Sequence, residues 1–121
     1  MEITVQKAII ASKAIESVLE IKLPSKVAYR LGRYLDKMAP IVKQFEKTRN
    51  ELITTKYGIE NSENPGTFKV DDTRMSEFLA EINELLLAKE TVDIISLTID
   101  DFGDVEVPVS FFLDLEGFIT E

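Results

Sequence analysis

The chain has 121 residues, 45% of them apolar and 30% charged, with a net charge of −8. That suffices for a single domain over 1–121 with its own core. It contains no cysteine and no histidine, which excludes disulfides, thiolate metal sites and every nucleophile–histidine arrangement, so no enzyme activity is expected. No apolar run reaches the ~20 residues of a membrane span, and the charged amino-terminal stretch does not read as a secretory signal.

Thr4 is a good N-cap for a helix from Val5 to about Glu20, with Met1–Thr4 before it as a short strand or cap segment. Val5, Ala8, Ala11, Ile15, Val18 and Leu19 share one face of that helix, and Ala8, Ala11 and Ser12 are small enough for a neighbouring helix to approach closely. Pro24 breaks the helix, and Ser25 is the cap candidate for the next one.

The segment from Ser25 to Tyr57 reads as one long helix on which the rest of the chain is organised. Val27, Leu31, Tyr34, Met38, Ile41, Phe45 and Leu52 fall on a heptad repeat, interrupted at Thr48. Ala28, Leu35 and Val42 widen the stripe. At about 1.5 Å per residue the segment spans roughly 50 Å, well beyond the radius of gyration of ~14 Å expected for a domain of this size. Either the helix kinks, or part of its stripe faces another chain. Pro40 cannot donate to the Asp36 carbonyl. A kinked single helix is preferred over a break at Met38-Ala39, because the heptad phase continues across the proline. Gly32 permits close approach of another backbone, and Gly58 is the expected C′ residue.

Gly58–Gly66 has loop composition, and Thr67–Val70 is a short strand candidate. Asp71 and Asp72 offer caps for a helix over about 73–89, striped by Met75, Phe78, Leu79, Ile82, Leu85 and Leu86. Thr91–Ile99 and Val105–Val109 alternate apolar residues around a turn at Asp100–Gly103, which predicts a C-terminal β-hairpin. Ser110 then caps a final short helix, FFLDLE. The fold class expected is α+β and mostly helical: a long antiparallel helix pair, a third amphipathic helix and the hairpin.

Charge is uneven along the chain. Residues 1–57 hold 11 Lys/Arg and 6 Asp/Glu, and residues 58–121 hold 3 and 16. Such a split suits attraction between the halves, within one molecule or between copies, or a partner for one half. Lys26, Arg30, Arg33 and Lys37 lie on one helix edge and can face phosphates or an acidic protein surface. Nucleic acid is disfavoured, since the acidic half repels a duplex and only Tyr29 lies beside the cations for stacking. Asp100, Asp101, Asp104 and Glu106 lack the ligand pattern of a calcium loop and suit turn and cap roles. Asp71 and Asp72 read as caps rather than an acid–base pair. Glycine motifs for nucleotides are absent, and neither a cofactor nor a small-molecule substrate is expected.

The run Leu23-Pro24-Ser25 enters the basic helix, which ends in Phe45-Glu46-Lys47-Thr48-Arg49-Asn50-Glu51-Leu52-Ile53, with Lys56-Tyr57-Gly58 shortly after. With the acidic helix and apolar C-terminal end, this order resembles a family of small uncharacterised proteins of tailed bacteriophages and prophages. The resemblance covers most of the chain and rests on helix sequences rather than on a site. It implies a phage accessory or structural protein, in the host cytoplasm or associated with the virion, and it assigns no functional residue. The expected partner is a second copy or another protein, met through the basic edge and through Leu31, Tyr34, Met38, Ile41 and Phe45, for which core of their own chain is the equal alternative. A charged residue at Met38 is then expected to break assembly and spare the helix. The alternative is an acidic inhibitor of a host defence or nucleic-acid-binding protein, using Glu77, Glu81, Glu84, Asp93, Asp100, Asp101 and Asp104.

Overall fold

Thr4 ends a short strand and starts the first helix. In the structure, a computed structural model that describes all 121 residues, β1 (Glu2–Thr4) leads directly into α1 (Val5–Ser17). The Thr4 hydroxyl accepts the Lys7 amide at 3.1 Å, satisfying one of the donors that a helix start leaves without a partner. After the turn at Val18–Glu20, Pro24 stands in an extended conformation at the entry to α2 (Ser25–Leu52). Ser25 is the first helical residue rather than the cap, and no side chain caps this end.

α2 runs unbroken through Pro40 for about 42 Å. Met38 before the proline is fully buried and Ile41 after it half-buried. Packing therefore grips the same face on both sides of the missing hydrogen bond. A single π-helical turn, Ile53–Tyr57, finishes the segment and turns Tyr57 inward. Gly58 follows with an extended backbone (φ −94°), not the left-handed cap expected from the sequence. A Cβ there would collide with the Ile53 carbonyl, so the glycine is needed for close backbone approach.

Within the predicted loop lies β2 (Gly58–Glu60), and it pairs antiparallel with β3 (Phe68–Val70), the strand expected at Thr67–Val70. Asp71 caps a 3₁₀ turn at Asp72–Arg74 by accepting the Thr73 amide at 3.0 Å. α3 (Met75–Leu87) follows, and β4 (Lys89–Thr91) returns to pair antiparallel with β1.

The C-terminal β-hairpin does not form. Thr98 and Asp101 make a reciprocal capping box that winds Ile99–Phe102 into a 3₁₀ turn. Phe102 is thereby buried against Phe111 and Phe112, with ring centroids 5.9 and 5.3 Å away. Aromatic burial overrides the alternating pattern of Val105–Val109. β5 (Leu97–Thr98) instead pairs parallel with β6 (Ile119–Thr120), across the short helix α4 (Val109–Asp114). Ser110 lies inside that helix and does not cap it.

The fold is α+β and mostly helical. Its one large core joins α1, the first half of α2 and the C-terminal segment. Ile15, Val18, Val27, Leu31, Tyr34, Met38, Leu97, Phe102, Leu115 and Phe118 are its largest sealed members. Tyr34 is pinned there, its hydroxyl donating to the carbonyls of Ile95 and Phe118 and its ring 5.3 Å from that of Phe118.

Candidate interaction surface

The heptad stripe divides at residue 38. Leu31, Tyr34 and Met38 are 0%, 1% and 0% exposed. They are core of their own chain, which corrects their assignment to an interface between chains. The reason is that α1 and the C-terminal segment both pack on this face of α2. A charge at Met38 is accordingly expected to unfold the domain rather than to dissociate an assembly. Ile41 and Phe45 differ: both are only half-buried. With Val5, Pro40 and Leu85 they line an open groove of about 290 Å³ between α2 and the end of α3, edged by Gln44, Thr48 and Glu90.

The basic edge is split as well. Lys26 makes an ion pair with Asp101 at 3.0 Å, so it stitches α2 to the 3₁₀ turn. Asp101 is held below the usual carboxylate range first by the Thr98 amide it accepts and then by Lys26. Arg33 reaches Asp36 only at 3.9 Å, and Arg30 and Lys37 have no ion pair. Arg30, Arg33 and Lys37 line a hollow of about 140 Å³ with Tyr34 and residues Asp93, Ile94 and Ile95. The Asp93 carboxylate on that rim offsets part of the positive charge. The Tyr34 hydroxyl is already engaged, and burial pushes its pKa up.

The acids of α3 are largely tied within the chain. Glu77 pairs with Arg74, and Glu81 with Lys56, each at 2.9 Å. The Lys56 hydrogen bond holds the Glu81 carboxyl low. Arg74 also lies 4.6 Å over the Tyr57 ring, which meets Phe78 edge-on at 5.8 Å. These contacts make a small second cluster at the far end. With Asp101 tied to Lys26, three of the seven acids expected to present an inhibitory surface are already paired. No group of three acidic side chains converges as metal ligands would.

A second face of α2 received less weight from the sequence. Ala28, Gly32, Leu35, Ala39, Val42, Glu46 and Arg49 repeat with heptad spacing, one residue out of phase with the core stripe. None of them is buried. Leu35, Ala39 and Val42 line a hollow of about 230 Å³ with Ser12, Glu16 and Lys43. Val42, Phe45, Glu46 and Arg49 line the adjoining one, of about 170 Å³, with Ile9, Ser12, Lys13 and Glu16. The two hollows form one groove along the α1–α2 pair. Its sequence signal was the widened stripe at Ala28, Leu35 and Val42, together with the open position at Gly32.

Compared with family models, curated protein sequences and solved structures, the chain matches none.

Proposed function

We propose that the protein is a non-enzymatic accessory or structural protein of the phage type, acting through protein–protein contacts and self-association. One observation carries this reading. Beyond Met38, α2 keeps its apolar repeat, yet Ile41, Val42, Phe45 and Leu52 are only half covered by their own chain. Side chains of this kind, rimmed by unpaired charge, are the anatomy of a contact surface. The free cations Arg30, Lys37 and Lys43 favour a protein partner with acidic character and a salt-sensitive encounter.

The test is native mass by size-exclusion chromatography with light scattering, at several concentrations and at low and high salt, joined to capture of host proteins on the immobilised chain. A mass above the single chain's 13.7 kDa, or a host protein retained in saturable and salt-dependent fashion, supports the reading. A 13.7 kDa species at every concentration, with nothing retained, ends it.

A further inference from the structure

The groove along α1 and α2 is built to take a helix. Its floor is apolar and shallow: Leu35 and Val42 are half-buried, Ala39 is exposed between them, and a Cβ on Gly32 would meet no atom within 4 Å. Small residues on a heptad seam let two helix axes come close. A second observation at the same place points to an absent partner. Ser12 is only 9% exposed, its Oγ has no hydrogen-bond partner, and it lines both hollows of the groove. A buried hydroxyl without a partner carries a desolvation penalty that a donor or acceptor brought into the groove would relieve.

We propose that this face docks against the same face of a second copy of the chain, α2 against α2 and antiparallel. Charge selects that occupant. Lys13, Glu16, Lys43, Glu46 and Arg49 line the groove with alternating sign, and none has an ion pair within the chain. A two-fold interface must be complementary to itself, and a seam of mixed sign is, whereas a single-signed edge repels its own copy. In the antiparallel register that sets Ala39 opposite Val42, Asp36 of one copy faces Lys43 of the other, twice. The same register lays Arg49 over the open position at Gly32. Asp36 is available for this, because its only partner within the chain, Arg33, stands 3.9 Å away. The proposal rests on the self-association reading above and replaces Leu31, Tyr34 and Met38 with Leu35, Ala39 and Val42 as the contact.

Sedimentation equilibrium on the full chain tests it. The natural sequence is expected to dimerise. Ala39→Glu, on an exposed helical position, is expected to weaken the dimer at least tenfold with the helical circular dichroism and thermal melt of the monomer retained. Asp36→Lys and Lys43→Asp are each expected to weaken it, and the double exchange Asp36→Lys/Lys43→Asp to recover most of the loss. A dimer indifferent to Ala39→Glu, or single charge reversals without recovery in the pair, overturns this face while self-association itself stands. A monomer at all concentrations overturns the dimer, and a monomer that still captures a host protein leaves the protein-contact reading intact.

Discussion

The two halves of α2 share one heptad repeat but have different surroundings. The first half is enclosed. α1 lies on one side and the C-terminal segment on the other, and every core position from Val27 to Met38 is sealed. The second half has the start of α1 and the end of α3 along it, but these leave open hollows at Ile41, Val42 and Phe45, and of the far-end elements only Tyr57 and Phe78 contribute buried side chains. An apolar periodicity therefore states which face of a helix avoids water, not what covers it. Cover comes from elements distant in sequence. Here Leu97, Phe102 and Phe118 close one end, and no counterpart closes the other.

The strongest way to break this comparison is to empty a position in each half. Leu31→Ala removes side-chain volume from the sealed core and is expected to cost about 2–5 kcal/mol of global stability, read as a lower denaturant midpoint. Phe78→Ala is expected to act locally. Amide exchange should quicken in residues 53–87 and stay slow in α1, because the far end is a small cluster of its own. Equal loss of protection in α1 would make the molecule one cooperative body and remove the distinction.

Tyr34→Phe sharpens the comparison from the sealed side. It leaves the Ile95 carbonyl without its donor and is expected to cost about 1–3 kcal/mol. It should also change the alkaline limb of stability. Burial raises the Tyr34 pKa, so the folded chain holds that proton more tightly than the unfolded one. The contribution is whole below the unfolded value of about 10 and is lost as pH rises through the folded value. Urea midpoints across this range should fall more steeply for the natural sequence than for Tyr34→Phe. Parallel curves would place the hydroxyl in contact with water.

Two glycines give the smaller effects, with opposite signs. Gly58→Ala forces a Cβ against the Ile53 carbonyl and is expected to cost about 1–3 kcal/mol, because the π turn has to shift. Gly32→Ala meets nothing and is expected to add about 0.5–1 kcal/mol by removing backbone freedom from a helix interior. Thermal melts of dilute protein check both. A destabilising Gly32→Ala would mean that α2 is already covered there.

Much of this was legible in the sequence. The Thr4 cap, the long helix through Pro40, the acidic third helix and the apolar C-terminal docking follow from local chemistry and period. The C-terminal hairpin was misread because Thr98 and Asp101 satisfy each other's backbone amides, and that local bond outcompetes a strand ladder. β3 is legible at Thr67–Val70, but its partner β2 is hidden in a loop-like composition, where the exposed Ile59 gives no alternating pattern. Leu31, Tyr34 and Met38, candidates for a contact between chains, are buried in their own chain for a related reason. Leu31, Tyr34 and Met38 carry the strongest apolar signal because they are core, and a surface seam of Gly, Ala and Val is quieter.

The hydroxyl of Tyr34 reaches the carbonyl of Phe118, 84 residues away along the chain. That span has a kinetic meaning. α2 can coil early and meet α1, but the side of its inner face that Leu97, Phe102 and Phe118 close has no cover until those residues arrive. During synthesis that side is thus exposed while residues 53–118 are still being made. A core closed by contacts this distant in sequence is expected to fold at a rate nearer that of mixed α/β domains than of simple bundles, which stopped-flow refolding would check.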